Sequence, residues 1–133
     1  MTRRFVLHIG PTNSGKTYQS VEALKRAKNG VYLGPLRLMA LEIFDKLNAG
    51  DCPCTLLTGE EFEPMPGAKV TASTIELCDY GAKYEVAVID EAQMIGDRSR
   101  GANWTKAILM VNAEVVHICM APEAEDIIVK LLS

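Results

Sequence analysis

Short apolar runs alternate with stretches of helical spacing along almost the whole chain. Phe5-Val6-Leu7-His8-Ile9 reads as a buried strand, and residues 17–27 read as a helix. Gly30-Val31-Tyr32-Leu33-Gly34 reads as a short strand closed by Pro35. From 36 to 49, apolar residues fall at Leu38, Leu41, Ile43, Phe44 and Leu47, a helical spacing that Gly50 can terminate. Cys54-Thr55-Leu56-Leu57-Thr58 is a strand, 60–67 a loop bearing Pro and Gly, and Lys69-Val70-Thr71-Ala72 another strand. Ser73 or Thr74 can cap a short helix through Cys78, because a side-chain oxygen there accepts an orphan helix N–H. The strand at 85–89 precedes a polar loop at 96–101, a helix at 103–111, a strand at 115–119 and a helix at 123–132. Strands this apolar and β-branched, alternating with helices, predict an α/β domain whose mostly parallel sheet is covered on both faces.

Two of the strand ends carry chemistry. Gly10-Pro11-Thr12-Asn13-Ser14-Gly15-Lys16-Thr17 fits G-x-x-x-x-G-K-[ST], and it lies between a predicted strand and a predicted helix. A polyphosphate there would rest on backbone N–H groups from Asn13 to Thr17, at the positive end of the helix dipole. Lys16 would reach the β- and γ-phosphates, and the Thr17 hydroxyl would ligate Mg²⁺. The second strand end is Glu85-Val86-Ala87-Val88-Ile89-Asp90-Glu91. An acid at the carboxyl end of a parallel strand lies where open α/β sheets bind ligands. Asp90 would hold Mg²⁺, directly or through water, and Glu91 would polarise a water aimed at the γ-phosphate. A chance glycine turn or a solvated acidic turn would account for either motif alone. Together they describe the two halves of one Mg-ATP site.

Size and charge narrow the remaining possibilities. At 133 residues and 48% hydrophobic, the chain is expected to form one domain, 1–133, with no repeat, low-complexity tract or linker. A net charge of −3 does not describe a general polyanion-binding surface. Nucleic-acid contacts would therefore be local, made by backbone amides, helix N-termini and a few placed cations. No apolar run approaches the roughly 18 residues of a membrane span. Met1-Thr2-Arg3-Arg4 runs directly into the first strand, which leaves no room for a targeting peptide. Cys52, Cys54, Cys78 and Cys119 read as free thiols, since no second close Cys pair or His completes a zinc pattern. His8 and His117 read as core or near-core residues, as do Trp104 and the methionines at 39, 94, 110 and 120. Arg98 and Arg100 read equally well as solvated loop cations or as neighbours of the acidic motif.

The strings around these motifs resemble a known family. They are the glycine loop, Val31-Tyr32-Leu33-Gly34-Pro35-Leu36-Arg37-Leu38-Met39-Ala40-Leu41-Glu42-Ile43-Phe44, Thr58-Gly59-Glu60-Glu61, Asp90-Glu91-Ala92-Gln93-Met94-Ile95-Gly96-Asp97 and Arg100-Gly101-Ala102-Asn103-Trp104-Thr105-Lys106-Ala107. Nearly end to end, the chain resembles the first RecA-like domain of the ATP-dependent RNA helicases of the mitochondrial degradosome and their bacterial relatives, in superfamily 2. The resemblance implies a three-layer P-loop NTPase fold, with Gly10, Thr12, Asn13, Ser14, Gly15, Lys16, Thr17 and Asp90 on Mg-ATP. It implies single-stranded RNA, or DNA, along Gly34, Pro35, Arg37, Thr58, Gly59, Glu60 and Ser73 or Thr74. Lys16, Glu91 and Gln93 would serve catalysis, with Gln93 linking the γ-phosphate to the RNA-facing surface. A second RecA-like domain carrying arginine fingers is implied in cis or in trans, and an exoribonuclease partner belongs to the same picture. A finger contributes about 10³–10⁵ in rate, so this domain alone would bind Mg-ATP and turn it over poorly. The implied location is mitochondrial, or cytoplasmic in a bacterium.

The chain departs from the family at Met120-Ala121-Pro122-Glu123, where Gly-Glu-Pro is usual. A thymidine-kinase-like enzyme also pairs a glycine loop with an Asp-Glu-x-Gln strand end. Its loop commonly has Met-Phe where this chain has Thr12-Asn13, and its cysteine-built zinc lasso has no counterpart after Cys119. A nucleotide-dependent binding module without turnover differs from the helicase reading only in what a second domain adds.

Overall fold

The computed structural model describes residues 3–11 and 15–133, with Lys16 described by its backbone. In chain order the elements are β1 (Arg4–Ile9), α1 (Lys16–Arg26), β2 (Gly30–Gly34), α2 (Arg37–Ala49), β3 (Cys54–Leu57), β4 (Phe62–Glu63) and β5 (Val70–Thr74). There follow β6 (Tyr84–Ile89), α3 (Gly101–Met110), β7 (Ala113–Met120) and α4 (Glu125–Leu132). Among the described residues the strands form one seven-stranded sheet in the order β1-β7-β6-β2-β5-β3-β4. All neighbours are parallel except β4, which pairs antiparallel with β3 through Leu56–Glu63 and Leu57–Phe62.

The period-two alternation of the strands sorts their side chains into two cores. Val31, Leu33, Ala87, Ile89, Val116 and Ile118 pack with Trp104 and Ile108 of α3 and Ile128 of α4. Tyr32, Val88 and Cys119 face the other way, onto Val21 and Leu24 of α1 and Ala40, Ile43 and Leu47 of α2. Every residue of β2 is buried, as a central strand covered on both faces requires. The sheet therefore carries helices on both faces, as the alternation predicts.

Register decides where the loops gather. Gly34 pairs with Thr74, Leu33 with Ile89, Ile89 with Ile118 and Ile9 with Met120. The carboxyl ends of five parallel strands thus share one rim of the sheet, and both motifs sit on it.

Several local expectations change. The loop at 60–67 contains β4, which caps the sheet with an antiparallel edge. The short helix after β5 is a single 3₁₀ turn, Ile75–Leu77, and Thr74 makes no capping bond to it. The Thr74 hydroxyl is instead buried without a partner, while Ser73 donates to the Thr74 carbonyl at 2.9 Å. The last helix opens as a 3₁₀ turn, Pro122–Ala124, with proline at the first position, where its fixed φ suits a helix start. Met110 is 56% exposed and is not core, since it ends α3 on the solvent side. Met120 and Trp104 are fully buried, and Met94 packs at the core margin. No disulfide joins the four cysteines, and burial pushes the Cys54 thiol up to about 12.

Candidate nucleotide and nucleic-acid site

Asp90 directly follows β6 and is 1% exposed. Its backbone N–H still belongs to the sheet, donating to the Leu33 carbonyl at 2.8 Å. Its carboxylate is held from three sides. The Tyr32 hydroxyl donates to Oδ2 at 2.6 Å, the Glu91 N–H to Oδ1 at 2.9 Å and the Thr17 hydroxyl to Oδ1 at 3.3 Å. Burial raises the Asp90 pKa above the ordinary carboxylate value, and the donors from Tyr32, Glu91 and Thr17 pull against it. Burial and the adjacent carboxylate raise the Tyr32 phenol well above 10, so it stays a proton donor. The Trp104 indole N–H donates to the Asp90 carbonyl at 3.0 Å, which pins the backbone on the opposite face.

The contact between Thr17 and Asp90 tests the expected metal site. A hydroxyl and a carboxylate facing one point form a hard, all-oxygen donor set. That set suits Mg²⁺, which takes one or two protein ligands and completes its octahedron with phosphate and water oxygens. Lys16 begins α1, so the N-terminal end of its dipole opens on the same point. Gly15 precedes it at φ 85°, a left-handed conformation that glycine adopts without steric cost. Gly10 is fixed at the other end of the loop by its N–H to the Met120 carbonyl at 3.1 Å. Thr12, Asn13, Ser14 and the Lys16 side chain lie outside the described residues.

Glu91 is a non-glycine residue at φ 52°, ψ 47°. Left-handed backbone at such a residue is sparsely populated and has to be held by its surroundings. The restraints are visible. Its N–H is bound to Asp90, and its Oε2 accepts the Gln93 amide at 2.7 Å. Gln93 in turn accepts the Ala121 N–H through Oε1 at 3.2 Å. The acidic motif is thus tied to the loop after β7 through a backbone donor. That donor is present whatever side chain stands at 121, so the departure at Met120-Ala121-Pro122 leaves this link intact.

The residues expected on nucleic acid lie on the β2, β3 and β5 ends of the same rim. Arg37 opens α2 with its guanidinium on Glu61, Nε to Oε1 at 2.6 Å and Nη2 to Oε2 at 3.1 Å, and Glu60 lies 3.4 Å from Nε. The hydrogen bond and charge of Glu61 raise the Arg37 pKa, and Arg37 holds the Glu61 carboxyl below its usual value. Thr58 donates to Glu61 at 2.9 Å and receives the N–H groups of Glu60 and Glu61 at 3.2 Å, which folds the turn around Gly59. Pro35, Arg37, Thr58 and Gly59 are therefore one cluster. Thr74 stands beside it at the end of β5, which pairs with both β2 and β3.

Tyr32 and Glu61 are functional partners that sequence spacing does not single out. Tyr32 was hidden inside an apolar strand, where its period-two face relative to Asp90 was the available signal. Arg100 is not a solvated cation: it donates to the Pro35 carbonyl at 2.6 Å and lies over the Trp104 ring at 5.5 Å.

A parallel sheet with a glycine loop after β1 and Asp-Glu at the end of β6, facing Thr17, defines a RecA-like P-loop NTPase domain. Within that class, residues 1–133 match the model described as the DEXQ-box helicase domain of Suv3, and the chain belongs to this family. It is 49% identical over 131 residues to the DExH-box ATP-dependent RNA helicase DExH18, mitochondrial, of Arabidopsis thaliana, covering 98% of this chain and 17% of that protein. It is likewise 49% identical over 136 residues to the ATP-dependent RNA helicase SUPV3L1, mitochondrial, of Homo sapiens, covering 99% and 17%. With the ATP-dependent RNA helicase SUV3, mitochondrial, of Oryza sativa subsp. japonica, the identity is 45% over 130 residues, covering 98% and 22%. The chain thus spans about a fifth or less of the length of these relatives. Membership in this family displaces the thymidine-kinase-like alternative.

Proposed function

We propose that this chain is the N-terminal ATP-binding motor domain of an ATP-dependent RNA helicase, and that it binds Mg-ATP and the backbone of single-stranded RNA. The observation that carries the reading is the Thr17–Asp90 contact, which joins the two nucleotide motifs at one point of the rim. Thr17 and Asp90 would hold Mg²⁺, which supplies charge neutralisation at the β- and γ-phosphates when bound. Backbone N–H groups at the start of α1 receive the phosphates, and Lys16 adds a cation to them. Glu91 orients the attacking water. The Gln93 amide occupies its Oε2, so Oε1 is the oxygen left to accept a water proton. RNA lies along Pro35, Arg37, Thr58, Gly59 and Thr74, a set of hydroxyls, backbone groups and one cation that grips phosphates without reading bases. The Thr74 hydroxyl is buried without a partner, and it would donate to such a phosphate once uncovered.

Efficient hydrolysis and unwinding need a second RecA-like domain that contributes arginine fingers. The helicases it is similar to are named as mitochondrial RNA helicases, which supports RNA as the track and the mitochondrion, rather than a bacterial cytoplasm, as the location. An exoribonuclease partner rests on the family resemblance alone.

The deciding experiment is steady-state ATP turnover by this chain with and without single-stranded RNA, beside equilibrium Mg-ATP binding. Binding with negligible turnover in both conditions fits a motor domain that needs its partner. Brisk, RNA-stimulated turnover would show that residues 1–133 carry the whole catalytic set.

A further inference from the structure

The nucleotide motifs and the RNA-facing loops sit on different strand ends, so a motor needs a physical tie between them. We propose that Arg100 is this tie: a positioning residue that couples nucleotide binding at Asp90 to RNA binding at the Pro35–Arg37 and Thr74 loops. The inference rests on the functional reading above and assigns a role to a side chain that touches neither ligand.

Arg100 stands directly before α3 and is partly buried. Toward the RNA side, its Nη2 donates to the Pro35 carbonyl at 2.6 Å and lies 3.9 Å from Oε1 of Glu76. Pro35 is two residues before Arg37, and Glu76 two after Thr74. One guanidinium therefore reaches both loops. Toward the nucleotide side, it lies over the Trp104 ring, whose indole N–H holds the Asp90 carbonyl.

The backbone on that side is stiff. The Asp97 carboxylate accepts the N–H groups of Ser99 and Arg100 at 3.1 and 2.8 Å, and the Asp97 carbonyl accepts Gly101 N–H at 2.9 Å. A Cβ on Gly101 would fall 2.3 Å from the Ile95 carbonyl oxygen, so the start of α3 is in backbone contact with the 3₁₀ turn Ala92–Gly96 that carries Gln93. When Glu91 and Gln93 rearrange around a γ-phosphate, that turn cannot shift without carrying Arg100. Arg100 cannot shift without changing its bond to Pro35. A planar fork over an indole suits this task, because it fixes direction as well as charge.

The test is a linkage measurement on this chain. Affinity for a labelled oligouridine is measured with and without a Mg-bound, non-hydrolysable ATP analogue, in wild type, Arg100→Met and Arg100→Lys. Coupling between sites commonly amounts to about 5–150-fold. Wild type is expected to show a nucleotide-dependent change in RNA affinity within that range. In Arg100→Met the ratio should fall to within about twofold of unity, with each ligand alone still bound. Arg100→Lys, which keeps the charge and can reach the Pro35 carbonyl, should recover part of the ratio. A wild-type ratio of one, or one that Arg100→Met leaves unchanged, overturns the proposal. So does loss of both separate affinities in Arg100→Met and Arg100→Lys, which would make Arg100 a fold residue only. Failure of the underlying functional reading looks different: wild type itself would not bind one of the two probes.

Discussion

The phenol of Tyr32 reaches Oδ2 of Asp90 at 2.6 Å, across the gap between the central strand β2 and its neighbour β6. Both groups are almost fully buried. The carboxylate is therefore kept out of water and aimed by a partner that does not itself touch the ligand. Tyr32→Phe removes that donor with little change of shape. It leaves a buried carboxylate oxygen unsatisfied, at a cost of about 1–3 kcal/mol. Mg-ATP affinity is expected to fall about tenfold, while nucleotide binding in EDTA stays the same. Titration calorimetry with and without Mg²⁺ checks this, and equal losses in both buffers would detach Tyr32 from the metal ligand.

Lys16→Ala removes the cation of the glycine loop. Nucleotide affinity is expected to fall by tenfold or more, roughly what a lost charge-assisted hydrogen bond costs, with the melting temperature little changed. Wild-type affinity in this variant would mean that the loop is not the phosphate site.

Arg37 and Glu61 make a two-bond fork at 2.6 and 3.1 Å, with the same guanidinium edge that a phosphate would use. Arg37→Ala is expected to weaken single-stranded RNA of every sequence alike and to lower the salt slope by about one contact. Glu61→Gln should act oppositely and tighten RNA, because it withdraws the competing anion. Filter binding across salt concentrations separates these outcomes. A loss confined to some sequences would contradict backbone recognition.

His8 and His117 stack with ring centroids 5.1 Å apart, and Nε2 of His8 lies 2.8 Å from Nδ1 of His117. Burial lowers the His117 pKa, and His8, Arg4 and Arg26 lower it further. Between that depressed value and the ordinary one of about 6.5, the unfolded chain binds more protons than the folded one. Stability is therefore expected to fall as pH drops through this window and to level off below it. Thermal melts from about pH 7 to about pH 5 should show the decline in wild type and a flatter profile in His117→Asn. Matching profiles would take the imidazole pair out of the acid response.

Gly101→Ala would place a methyl group against the Ile95 backbone oxygen, an obstruction that no side-chain rotation relieves. A loss of about 1–3 kcal/mol is expected in chemical denaturation. An unchanged midpoint would show that the start of α3 is free of the 92–96 turn.

The sequence by itself determined the layering of this protein and the chemistry of its nucleotide site. Apolar runs at 5–9, 30–34 and 85–89 had the length and β-branching of buried strands, and the glycine loop and Asp90-Glu91 stood at strand ends, where backbone groups and carboxylates meet ligands. Those signals are local, written in adjacent residues. It did not determine β4, because two residues carry too little pattern to separate strand from loop. Nor did it determine the single 3₁₀ turn after Thr74, or the exposure of Met110, which depends on which side of α3 the sheet lies. Tertiary structure alone decided the pairings. Tyr32 with Asp90, Arg37 with Glu61 and Arg100 with Pro35 join residues 58, 24 and 65 positions apart. Such contacts follow from strand order and register, and sequence spacing carries neither.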